Sequence, residues 1–284
     1  MKAVLLNISA WMLLPFMDGI AKYLTAEMHF IQVVWGRYLF MALISLFVTY
    51  FFFNKNLKWP KNIKIQLIRS LFLFLSTILF FYAISVISLA EALTLSFVSP
   101  MIVTLLSAII LKEKVGIRRW SAVIIGFTGV LFVVRPGFNE INLAIITALG
   151  CGISYAFYII STRKLSNQDN PFLTLIFTGL IGSIVISLVV PFFWAWLNLT
   201  QLFLLVSLAA IGTLAHFLLI LSLKFAEASK LAPLAYSEIV MNVIIGYYFF
   251  GDFPDQWIWL GLIIIISSGV YISLRENVRK NKFQ

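Results

Sequence analysis

The feature that most limits what this chain can become is its succession of long apolar runs. Ten of them fall at about residues 3–23, 31–53, 66–86, 90–111, 119–134, 143–162, 171–191, 201–222, 230–250 and 256–274. Short polar breaks such as "NKNLKWPKN", "LKEKVGIRR", "RPGFNE", "RKLSNQDNP" and "GDFPD" separate them. A helix of about 20 apolar residues crosses a bilayer, and only segments that satisfy their own backbone hydrogen bonds can do so. The pattern predicts an all-α integral membrane protein with ten transmembrane helices. No break is long enough for a soluble domain. Composition agrees: 11% of residues are charged, against about 25% in an average soluble domain.

Charge placement orients the helices. Of 21 Lys and Arg, 18 fall at the N-terminus, in the breaks after helices 2, 4, 6 and 8, or after helix 10, with Arg69 counted in the break before helix 3. Only Lys22 and Arg135 fall on the opposite side, and Arg37 lies within helix 2. The positive-inside rule puts both termini in the cytoplasm. The net charge of +10 is thereby explained by orientation and contact with anionic lipid, and no nucleic-acid partner is needed. The single cysteine, Cys151, excludes a disulfide framework, and two distant histidines, His29 and His216, make no metal site. The first 21 residues also carry the marks of a signal peptide, whose cleavage would leave nine spans.

The chain repeats itself. Residues 81–120 and 218–259 each hold a helix end, an Ala-Glu-Ala (90–92 and 226–228), a helix with proline (Pro100 and Pro233), an acid (Glu113 and Asp252) and a tryptophan (Trp120 and Trp259). Five helices per half is an odd number, so the halves enter the bilayer from opposite sides. The expected units are a first five-helix repeat at 1–136, a second at 143–275, and a basic cytoplasmic tail at 276–284. Inverted-topology repeats are a transporter signature, with the binding site near the midplane between halves.

Three segments complete the picture: "WGRYLFMALI" (35–44), "SPMIVTLLSAIILKEKVGIRRWSAVIIGFTGVLFVVRPG" (99–137) and "AYSEIVMNVIIGYYFFGDFPD" (235–255). With the ten spans and the repeat, they resemble EamA-type carriers of the drug/metabolite transporter superfamily over almost the whole chain. The resemblance implies solute carriage without an energy-supplying domain or a cofactor. It leaves the substrate open among amino acids, cofactors such as riboflavin and S-adenosylmethionine, sugars and drugs. The last segment is most similar to carriers of cofactor-like or amino-acid-like metabolites.

Charged residues at membrane depth are the candidates for a site. At ~1.5 Å per residue, Glu238 lies ~12 Å into its helix and His216 ~9 Å above the cytoplasmic face. The two form a candidate proton-coupling pair. Glu238 is read as a substrate-amine ligand or proton carrier, the alternative being a structural carboxylate bonded to Tyr or Ser. Asp18 and Arg37 lie at matched depth, ~9 Å from the outer face, and suggest an ion pair or a site for a zwitterion. Alternatively Asp18 pairs with Lys22 and Arg37 snorkels outward. Trp35, Tyr82, Tyr155 and Tyr236, with Ser96 and Ser99, are assigned to the cavity wall. Pro100 and Pro233 mark either hinges or tolerated kinks.

The expectation is an inner-membrane, multi-pass carrier of a small organic metabolite that works by alternating access as a monomer or homodimer. Its rivals are a lipid-modifying membrane enzyme and a channel. No His-rich, Asp-Asp or Ser-Lys cluster supports the enzyme.

Overall fold

The structure is a computed structural model that describes residues 1–52, 59–134, 142–251 and, within 255–268, all but 258, 262, 265 and 266. Most of the expected tenth span, the tail 276–284, Arg135 and Asp252 therefore lie outside the described residues. Every regular element among those described is helical: α1 (Lys2–Glu27), α2 (Phe30–Phe52), α3 (Ile63–Val86), α4 (Leu89–Ser96), α5 (Val98–Ile110), α6 (Ile117–Val134), α7 (Leu143–Leu165), α8 (Pro171–Ser187), α9 (Leu199–Phe225), α10 (Ala228–Leu231) and α11 (Glu238–Phe250). Among the described residues, six helical stretches, with α4 and α5 counted as one, are long and apolar enough to cross a membrane. The chain is an all-α membrane protein.

Helix starts follow from local chemistry. Asn62, Ser88, Asn142 and Asn170 each accept a hydrogen bond from a backbone N–H of the first turn that follows. Asn198 and Gln201 close a reciprocal capping box at the head of α9. Gly251 ends α11 with φ +70°, the left-handed conformation that glycine adopts without a side-chain clash.

Two spans expected to be continuous are broken. The fourth divides at Phe97 (φ −71°, ψ 4°) into α4 and α5, because Pro100, in the first turn of α5, has no N–H to carry the helical ladder back to Ser96. The ninth begins as the single turn α10, passes through a 3-10 segment at Ala232–Ser237 containing Pro233, and becomes α helix at Glu238. Small residues let the broken elements dock. A Cβ on Gly152 of α7 would meet the Ser96 carbonyl oxygen at 2.5 Å, and one on Gly126 of α6 would meet the Tyr236 ring at 2.5 Å.

The main packing partners are α1 with α9, α3 with α7, and α2 with α8. Apolar side chains fill these seams, among them Leu24, Val33, Phe81, Leu205 and Leu208, all fully buried. Arg69 departs from expectation. It was counted among the loop charges, yet it belongs to α3 and is fully buried.

Candidate functional site

A cavity of about 600 Å³, including the space at its mouth, lies among α1, α2, α3, α7, α9 and the two broken spans. Broken helices suit such a place, because freed backbone groups are tolerable where they face a cavity. Asp18 and Glu238 both line it, 3% and 4% exposed. Among the described residues neither carboxylate accepts a hydrogen bond from the protein, and each feels a neighbouring charge instead: Asp18 that of Arg37, and Glu238 that of Asp18. Glu238 is the first residue of α11.

Arg37 lines the same cavity from α2, its charge acts on Asp18, and a neighbour holds its guanidinium. Its Nη2 donates to His216 Nε2 at 2.9 Å. Arginine has no lone pair to offer, so His216 accepts at Nε2, carries its proton on Nδ1, and donates it to the Tyr158 hydroxyl at 3.1 Å. Arg69 Nη2 donates to the same hydroxyl at 3.3 Å. Its Nε reaches Thr162 Oγ1 at 2.8 Å, and its Nη1 reaches Thr178 Oγ1 at 2.6 Å and the Thr174 carbonyl at 3.2 Å. A hydrogen-bonded chain thus ties the cavity arginine to a second buried arginine across α2, α9, α7 and α3. Among the described residues Arg69 has no carboxylate partner.

Aromatic rings form the remaining walls. Trp11 and Tyr155 lie 5.9 Å apart between ring centroids, and the Tyr155 hydroxyl is buried without a hydrogen-bond partner. Phe80 and Phe97 close the other side.

Of the residues singled out from the sequence, Asp18, Arg37, Ser96, Ser99, Tyr155, His216 and Glu238 come together around this one cavity. His216 is bonded to Arg37 and Tyr158, not to Glu238. Lys22 donates to the carbonyls of Ile84 and Ile87 at the end of α3. Arg37 does not snorkel; it is 5% exposed. Three residues assigned to the wall stand outside it. Trp35 donates to Ser187 and packs on Trp194, Tyr82 packs edge-on against Phe30, and Tyr236 packs on Phe97 from behind. Each lies two residues from a lining residue (Arg37, Phe80 and Glu238), and residues two apart do not share a helix face. Trp11, Ser76, Thr77 and Cys151 line the cavity unforeseen. Residue count alone puts Trp11 within its span, but nothing in the sequence gives its direction.

The EamA-like transporter family matches residues 1–135 and 142–274. The chain belongs to that family. It is a multi-pass membrane transporter of the inner-membrane type, and not an enzyme. It is 27% identical over 266 residues to a protein of Rickettsia bellii named S-adenosylmethionine uptake transporter, covering 93% of this chain and 91% of that one. A riboflavin transporter of Vibrio cholerae is 28% identical over 193 residues, or 68% and 65% of the two chains. An uncharacterized transporter of Helicobacter pylori is 31% identical over 73% and 72%. A protein of known crystal structure superposes with a TM-score of 0.79 over 96% of both chains at 16% identity, which establishes likeness of fold alone.

Proposed function

We propose that this transporter carries a small metabolite with a cationic centre and a carboxylate, S-adenosylmethionine being the best-fitting candidate, by alternating access of two inverted five-helix halves. The observation that carries the reading is the pair of buried carboxylates, Asp18 and Glu238, which line a cavity together with the one guanidinium of Arg37 and, among the described residues, accept no hydrogen bond from the protein. Two acids and one Arg leave the cavity short of one positive charge, and a desolvated charge without a partner is expensive. A substrate cation supplies the missing charge, and a proton on Glu238 can take its place when the substrate leaves. Arg37, positioned by His216, takes the substrate carboxylate, for which a guanidinium fork is suited. Trp11 and Tyr155 offer faces to a flat ring or a sulfonium. S-adenosylmethionine has a sulfonium cation, a carboxylate and a flat adenine ring. Riboflavin lacks the cationic centre, so the acids favour the first of the two relatives' substrates.

The ten-span topology with cytoplasmic termini, halves at 1–136 and 143–275 and a tail at 276–284 belongs to the same reading. The packing supports it: α1 with α9 and α7 with α3 are corresponding pairs under an exchange of halves, and α2 with α8 maps onto itself. A further parallel is that Lys22 and Arg163 stand at the same place in α1 and α7, twenty residues after each helix begins. Each donates to carbonyls ending the partner helix of its own half, Lys22 to α3 and Arg163 to α9.

Counterflow in proteoliposomes loaded with S-adenosylmethionine tests this, with S-adenosylhomocysteine, riboflavin, amino acids and polyamines as competitors. Wild type exchanges S-adenosylmethionine, and Glu238→Gln loses the exchange. Exchange of riboflavin but not S-adenosylmethionine, or normal exchange by Glu238→Gln, refutes the assignment.

A further inference from the structure

A second, smaller cavity of about 310 Å³ adjoins the first and shares Trp11, Ser99, Pro100, Tyr155 and Ala235 with it. It is otherwise lined mainly by apolar residues, and its far end is made by Leu223, Ala228 and Leu231. At two of them, Leu223 and Ala228, an ionic cluster grips the backbone. Glu113, just beyond α5, accepts hydrogen bonds from the N–H groups of Ala228 and Ser229 at 3.1 and 3.0 Å and from the Ser229 hydroxyl at 2.7 Å. Arg163 stands 3.6 Å from the same carboxylate and donates to the Leu223 carbonyl. Arg119 pairs with Glu227 at 3.2 Å and reaches the Ser229 hydroxyl at 3.0 Å. Lys230 adds a pair with Glu227 at 3.0 Å.

We propose that this cluster is the latch that shuts the cytoplasmic end of the transport path, and that transport requires it to open. The inference rests on the alternating-access reading and on its topology, which puts residues 112–119, 163–164 and 224–230 on the cytoplasmic side. Two features support it. The cluster joins the two halves: Glu113 and Arg119 belong to the first, while Arg163, Glu227 and Ser229 belong to the second. It also holds the residues that close the inner cavity, so releasing Glu113 frees the end wall itself. The bonds are unequal. Glu227 is 36% exposed, and partly exposed ion pairs contribute little. Glu113 is only 8% exposed and collects three charge-assisted hydrogen bonds, which are stronger than neutral ones. Glu113 is the residue on which the latch depends.

The test reads the latch without relying on transport. Leu231→Cys places a thiol in the inner cavity, and a membrane-impermeant maleimide is applied from the cytoplasmic side of inside-out vesicles, with the unsubstituted chain as the baseline for Cys151. With Glu113 intact, Cys at 231 labels slowly; adding Glu113→Gln raises the rate about tenfold, as expected for loss of a charge-assisted bond. An unchanged rate overturns the proposal. A second arm guards against a misfolded variant: Glu113→Cys with Ser229→Cys, bridged by a short thiol cross-linker, blocks S-adenosylmethionine counterflow until a reductant is added. Full transport while bridged also overturns it. If the parent chain carries no substrate at all, the carrier reading fails, and the labelling arm still decides the latch.

Discussion

Gly152→Ala is the substitution whose outcome follows most directly from the packing. The added methyl lies 2.5 Å from the Ser96 carbonyl oxygen and 2.7 Å from Val98 Cγ1. The carbonyl is backbone, and it sits where α4 breaks into α5, so no rotamer change relieves the contact. One of the docked elements, α7 or the break, has to move by several tenths of an ångström. Overpacking of this kind costs about 2 kcal/mol, within the usual 1–3. On ordinary scaling that lowers the apparent melting temperature by about 4–8 °C. The break supplies Ser96, Phe97 and Ser99 to the cavity, so the displacement also weakens substrate binding. Thermal unfolding of the purified protein in detergent reads the first effect, and counterflow KM reads the second. Gly116→Ala is the control, since a methyl there meets nothing within 4 Å and a change within about 0.5 kcal/mol is expected. If Gly152→Ala melts with the wild type, the tight docking of α7 on the break is wrong.

Other outcomes follow from the site. Arg37→Ala raises the counterflow KM at least tenfold, whereas Arg37→Lys recovers only part of the loss because a point charge lacks the planar fork. His216→Gln, which keeps an acceptor for Arg37, retains more transport than His216→Lys, which sets a cation against a cation; transport assays of the two variants side by side distinguish these. In the ionic cluster around Glu113 and Glu227, burial raises the Glu227 pKa, but the bonds and charges of Lys230 and Arg119 outweigh it and hold the group below its ordinary 4.5. Its contribution is therefore present above pH 4.5 and is lost as the pH falls through the lower folded value, so the apparent melting temperature of the purified protein drops slightly below that point, by little because the group is partly exposed.

Much of the fold was legible because hydropathy reports burial in lipid directly. α1, α2, α3, α7 and α9 lie within a few residues of the expected runs. The breaks at Phe97 and Ala232–Ser237 were signalled by Pro100 and Pro233, but not their form, since a proline indicates a missing N–H and not the 3-10 turn that follows. The charged part of the site was also legible. Asp18, Arg37, His216 and Glu238 stand out by cost, and cost depends on depth, which a residue count gives. The walls were not. Depth places Tyr82 beside Phe80 and Trp35 beside Arg37, but the azimuth around the helix decides which faces the cavity. Arg69 shows the same limit in another form. The charge count assigns it to the neighbouring loop although the expected run 66–86 includes it, and its partners Tyr158, Thr162, Thr174 and Thr178 come from helices about a hundred residues away.

The central claim is that the two acids of the cavity select a cationic metabolite, and equilibrium binding to the purified protein tests it most directly. Titration calorimetry with S-adenosylmethionine and with S-adenosylhomocysteine, which differ in the charge on sulfur, is the measurement. The account predicts saturable one-site binding of the first, much weaker binding of the second, and a loss of roughly thirtyfold or more in Glu238→Gln, the effect of removing one partner from a buried charge pair. Equal affinity for the two ligands, with no change in Glu238→Gln, contradicts it.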